Sequence, residues 1–116
     1  MSMTKFNHHD KKFRPVSNSE NGETSKQTTF HYRQEGNVLI GENAGGNIRK
    51  GLLIGLVDEE GKIEMRYQQI NYRNEFMTGI CFSTPEVLSN GKISLHENWQ
   101  WTSGDCLKAT SVIEEI

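Results

Sequence analysis

Residues 92–101 read KISLHENWQW, and the order of these ten residues decides the fold. Ile93, Leu95, Trp99 and Trp101 alternate with Ser94, His96, Asn98 and Gln100. A period of two yields one apolar and one polar face only in an extended strand. Glu97 breaks the pattern, because it falls among the apolar residues. The same alternation recurs in residues 62–70 (KIEMRYQQI), where Ile63, Met65 and Tyr67 oppose Glu64, Arg66 and Gln68. Residues 26–33 (KQTTFHYR) share this chemistry, whereas residues 48–57 (IRKGLLIGLV) are apolar on both faces near their middle, which leaves their inward face open. No run of ten or more residues combines a helical period with capping residues.

Turn signals punctuate these stretches. They are Asn21-Gly22, Glu35-Gly36-Asn37, Gly45-Gly46-Asn47, Glu60-Gly61, the segment Asn71 to Asn74, Asn90-Gly91 and Ser103-Gly104-Asp105. Glycine and asparagine accept the positive φ that tight hairpins demand. Seven turns separate eight segments, and connections this short place consecutive strands side by side and antiparallel. An open meander would leave two unpaired edges, which closure removes. The expected fold is therefore all-β: an eight-stranded antiparallel up-and-down barrel, lipocalin-like in form, with an interior that side chains fill or that holds one small ligand. A two-sheet sandwich is the alternative and needs longer crossovers than these turns. Pro85, in FSTPEVL, closes a strand or marks a bulge. Residues 1–11 are polar and unpatterned and read as a flexible N-terminal tail, with a single barrel domain over 12–116.

Composition narrows the function classes. The 116 residues suffice for one domain, and apolar residues make up only 34% of them, too few for a thick multilayer core. Eleven glycines against two prolines suit a chain of tight turns. A formal charge of -2 with interspersed signs provides no basic stripe for nucleic acid and no attraction to an anionic membrane. The longest apolar run, Leu52 to Val57, is interrupted by Gly55 and cannot span a bilayer. The N-terminus lacks the apolar stretch of a secretory signal, so cytoplasmic residence is the default expectation. Cys81 and Cys106 have no metal-like spacing and read as free thiols, with a disulfide left open if their strands are neighbours.

Candidate chemistry lies on the inward faces. Glu97 with Trp99 and Trp101 suggests a ligand contact, the rings forming an apolar wall and the carboxyl selecting a donor group. The bland reading of Glu97 is an interior structural hydrogen bond or a rim carboxylate in water, since a buried carboxylate needs a partner. Tyr67, Gln69 and Asn71 continue the inward face of their own strand and add polar groups near one end, or are simply satisfied core residues. Arg49 shares a face with Gly51, Leu53, Gly55 and Val57 on strict alternation and is a candidate partner for Glu97. His8 and His9 fall in the tail, while His31 and His96 fall on polar faces. With no HxH or HExxH, no metal site is expected. The serines lack a nucleophile elbow, and no cofactor motif occurs.

From about Val16 to Ile116 the chain resembles a family of small bacterial proteins of unestablished role, some of them labelled N-acetylglutamate synthase. The residues that carry the likeness are SNSENGET, GGNIRKGLLIGLV, GKIEMRY, STPEVLSNGKISLHENWQW and the terminal IEEI. The resemblance implies a lipocalin-like or avidin-like barrel and names no catalytic group. The residues themselves offer acetyl transfer no helix behind Gly45-Gly46 to cradle a pyrophosphate. The expected function is small-molecule binding between Trp99, Trp101, Tyr67, Gln69 and Glu97. An enzyme with Glu97 as general acid or base is one alternative. The other is an interaction module whose outer wall pairs with itself, as a homo-oligomer, or with another protein through an outward patch of Ile54, Leu56, Ile80 and Phe82.

Overall fold

The computed structural model describes residues 7–18, 27–103 and 108–116. They form eight strands: β1 (Lys11–Asn18), β2 (Thr29–Glu35), β3 (Val38–Gly45), β4 (Ile48–Val57), β5 (Ile63–Asn71), β6 (Phe76–Val87), β7 (Ile93–Trp101) and β8 (Lys108–Glu115). Each pairs antiparallel with the next, and β1 pairs with β8, so the sheet closes into an up-and-down barrel without a free edge. The described residues contain no helix.

The turns work as their residues dictate. Glu35 pairs with Val38 across Gly36-Asn37, and Gly45 pairs with Ile48 across Gly46-Asn47. Gly36 and Gly46 each have φ +61°, the left-handed geometry that a two-residue hairpin places on its first central residue. The predicted signals at Asn21-Gly22 and Gly104-Asp105 lie outside the described residues.

Both prolines sit where the ladder is one-sided. Pairing of β1 with β2 ends at Phe13, and Pro15 follows beside a bulge against β8. Pairing of β5 with β6 ends at Ser83, two residues before Pro85, which remains inside β6 opposite Leu95. Pro85 therefore neither closes the strand nor marks a bulge; it occupies a stretch with a neighbour on one side only.

The expected inward faces of β5 and β7 are the buried ones, with Ile63, Met65, Leu95, Trp99 and Trp101 inside and Glu64, Arg66, His96 and Asn98 outside. One expectation fails. The register of β4 with β5 shifts between Ile48 and Lys50, a bulge that turns Ile48 inward and Arg49 outward. Arg49 donates to Asn74 Oδ1 at 2.9 Å on the exterior, so it is no partner of Glu97. Strict alternation cannot anticipate an extra residue in the ladder.

Inside, glycines stand across from bulky side chains. Gly41 pairs with Tyr32, Gly51 with Asn43, Gly55 with Met65 and Gly79 with Tyr67. A methyl group at Gly41 would come within 2.8 Å of Tyr32 Cδ1. The inner wall thus alternates small and large, which is how a narrow barrel fits its contents.

One end of the barrel is solidly packed. Phe13, Leu39, Val57, Ile63, Leu95 and Ile113 meet there, all with at most 4% exposure. His8, fully buried within the stretch read from sequence as a tail, covers this end. Its backbone N–H donates to Gln34 Oε1 at 3.0 Å, and its ring Nε2–H donates to the Gly61 carbonyl oxygen at 3.1 Å. Burial pushes the imidazole below its ordinary pKa and keeps it neutral.

The glycine–tyrosine fit generates a prediction. A methyl group at Gly79 would collide with the Tyr67 phenol and approach the Gln100 carbonyl oxygen to 2.7 Å, and that backbone atom has little freedom to move. Gly79→Ala is expected to cost roughly 1–3 kcal/mol, read as a lower denaturant midpoint at unchanged slope.

Candidate functional site

The opposite end of the barrel is hollow. A cavity of about 60 Å³ opens between the inner walls of β2 to β8. At ~10–15 Å³ of such space per water, it holds roughly four to six waters or a ligand fragment of similar bulk. Tyr67, Gln69, Glu97, Trp99 and Trp101 all line it, so the structure gathers the five predicted site residues around one space. Asn71 does not join them. It is buried in the β5–β6 turn, where its Oδ1 accepts from the backbone N–H groups of Arg73 and Glu75 and its Nδ2 donates to Glu75 Oε1.

The aromatic wall is built by spacing. Trp99 and Trp101 are two apart on β7, hence on one face, and their rings meet edge to face with centroids 5.3 Å apart. Tyr67 on β5 adds a second edge-to-face contact, to Trp101, with centroids 5.5 Å apart. Register places these side chains at the same height, since Gly79 of β6 pairs with both Tyr67 and Trp101. A glycine between two large rings gives them room to meet.

Glu97 lies deeper. Its cross-strand neighbours are Ser83 on β6 and Ser111 on β8, which flank it from both sides. Ser83 Oγ donates to one carboxyl oxygen at 2.7 Å and Ser111 Oγ to the other at 3.4 Å. Burial pushes the Glu97 pKa up to about 7, against the hydrogen bonds from Ser83, Ser111 and Cys81, which pull it down. Desolvation prevails. Near neutrality this carboxyl is divided between its charged and protonated forms.

Several lining residues escaped the reading of the sequence. Tyr32 follows Phe30 by two on β2, and Asn43 follows Gly41 by two on β3, so alternation alone could have placed both inward. The Tyr32 hydroxyl is buried and has no hydrogen-bond partner among the described residues. Burial and then the charge of Glu97 push its pKa upward. Ser83 and Ser111 were missed because apolar periodicity does not register small polar residues. Cys81, a free thiol on the cavity wall, is held above its ordinary pKa by burial and then by Glu97, so it is no thiolate nucleophile. Cys106 lies outside the described residues.

No lining side chain among the described residues is Lys, Arg or His. His31 and His96 instead make exterior contacts with Asp10 and Glu86, at 2.9 and 2.8 Å. No three His, Cys, Asp or Glu side chains gather as a metal ion would require, among the described residues. No helix among them is long and apolar enough to cross a membrane.

The raised carboxyl has a measurable signature. Glu97 titrates near its ordinary value of 4.5 in the unfolded chain and near 7 in the fold. Its stabilising contribution is complete below the unfolded value and is lost as pH rises through the folded one. Stability should therefore fall across this window by up to about 3 kcal/mol from this residue. Glu97→Gln is expected to flatten that decline in pH-dependent denaturant unfolding.

The family model described as an avidin-like protein matches residues 6–116. No curated protein and no solved structure matches the chain. The chain belongs to the avidin-like family.

Proposed function

We propose that this member of the avidin-like family binds a small molecule in the hollow end of its barrel. An apolar part of the ligand lies against Trp99 and Trp101, and a polar group reaches Glu97. One observation carries the reading: a cavity of about 60 Å³ whose wall joins an edge-to-face tryptophan pair to a buried carboxyl. Avidin-like barrels often bind small ligands, which supports the same reading. Catalysis draws less support, because the hydrogen-bond partners of Glu97 among the described residues are the hydroxyls of Ser83 and Ser111 and the thiol of Cys81, which is held neutral.

Pools of small metabolites provide the test. A ligand present at ~100 times its Kd stabilises the fold by about 2.7 kcal/mol, which raises Tm by roughly 10 °C in a domain of this size. Such a shift, together with a change in tryptophan emission that Trp101→Phe diminishes, is the expected outcome. Pools that change neither reading count against a small-ligand role.

A second reading concerns the outer wall. Ile40, Ile54, Leu56 and Phe82 are each at least half exposed, and register places Ile40 beside Ile54. Around them, Lys50 pairs with Glu42 and Arg66 with Glu64, so the face is locally neutral. A second copy stacked on this face meets no like-charge repulsion, and the face serves self-association. Sedimentation should show a dimer or higher species that Ile54→Lys dissociates; a strict monomer at high concentration overturns it.

A further inference from the structure

Among the described residues, the cavity is lined by one acid and no base. Glu97 is the single carboxyl among the described lining residues, and none of these is a lysine, arginine or histidine. An unpaired carboxylate in such surroundings is costly, and the missing counter-charge is most effectively supplied by an occupant. Both neighbouring serines donate hydrogen bonds to the carboxyl oxygens, an arrangement suited to the anion. A carboxylate has about four acceptor sites, so room remains for further donors.

Two more features point the same way. The Tyr32 hydroxyl, fully buried on the cavity wall, has no hydrogen-bond partner among the described residues. Leaving such a group unsatisfied is unfavourable, and its oxygen can accept an N–H from an occupant. Trp99 and Trp101 also face this space together with Tyr67 and offer an apolar wall to the carbons that carry an ammonium. A neutral donor would satisfy the hydrogen bonds alone. A cation satisfies both the hydrogen bonds and the charge, and leaves its carbon chain to lie against the rings.

We propose that the cavity is selective for a small organic monocation, a protonated primary amine, with its ammonium between the Glu97 carboxylate and the Tyr32 hydroxyl and its carbon chain against Trp99 and Trp101. This rests on the reading of the cavity as a ligand site and adds the charge class of the ligand. Ammonium binding and ionisation of Glu97 are linked: the cation favours the carboxylate, so uptake of the amine expels a proton from the protein.

The test compares isobutylammonium with isobutanol, a neutral molecule of similar shape, on the full chain. Tryptophan emission and calorimetry report binding. An alkylammonium keeps its charge to about pH 10, so changes at lower pH belong to the protein. The expected result is an ammonium preference of at least about tenfold above about pH 8, shrinking several-fold below about pH 6 as Glu97 takes up a proton. Calorimetry in buffers of different ionisation enthalpy should show proton release near neutrality. Glu97→Gln should abolish the preference while leaving the circular dichroism spectrum in place. Tyr32→Phe should weaken ammonium binding several-fold without lowering Tm, which separates recognition by the hydroxyl from support of the fold.

Equal binding of the two compounds overturns the cationic class and leaves the ligand cavity standing. A preference that persists in Glu97→Gln overturns the assignment to this carboxyl. Failure of both compounds to bind at millimolar concentration overturns the cationic class as well, while the metabolite pools decide separately whether the cavity takes any ligand.

Discussion

Space inside a closed eight-stranded sheet is the constraint on which the rest of this molecule depends. The lumen of such a barrel is just wide enough for side chains, so each large residue on one strand needs a small one beside it. Tyr32 has Gly41, Tyr67 has Gly79, Asn43 has Gly51 and Met65 has Gly55. Where apolar side chains dominate, at the end covered by His8, the interior fills completely. Where glycine, serine and asparagine interleave with rings, the same geometry leaves a cavity. Packed floor and hollow mouth come from one rule applied to two compositions.

The carboxyl at the boundary between these halves is tolerated because the sheet supplies its partners. Ser83 and Ser111 reach Glu97 from adjacent strands, so the backbone register itself sets the donors in place. Two hydroxyl groups lessen the cost of burying the charge without removing it, which is why the group titrates near neutrality. An apolar residue at this position would have given a plain barrel core. The acid makes the interior responsive to pH.

Much of this was legible in the sequence, and the unread part has identifiable causes. Alternation in KISLHENWQW placed Glu97 with the tryptophans, and the same period placed Tyr67 and Gln69 on the inner wall. Even the serine neighbours were within reach. The hairpin at Asn90-Gly91 is symmetric about residue 90, pairing Val87 with Ile93 and hence Ser83 with Glu97. Reading them required trusting a register from its turn, whereas small polar residues leave no hydropathic trace. Arg49 was misplaced because a one-residue bulge reverses facing and leaves alternation on either side intact. Asn71 shares the inward face of β5, yet the turn beyond it claims its side chain. Periodicity reports facing, and neither bulges nor local turn bonds alter the pattern from which facing is read.

The buried histidine at the packed end bears on kinetics. With His8 lodged between Gln34 and Gly61 over a floor of Phe13, Leu39 and Ile113, the described residues close the barrel at this end. A molecule held in a lumen closed at one end leaves by the passage it entered. Narrowing that passage slows arrival and departure by the same factor, so residence time can change while affinity stays fixed. Affinity is set by the wall, and lifetime by the rim.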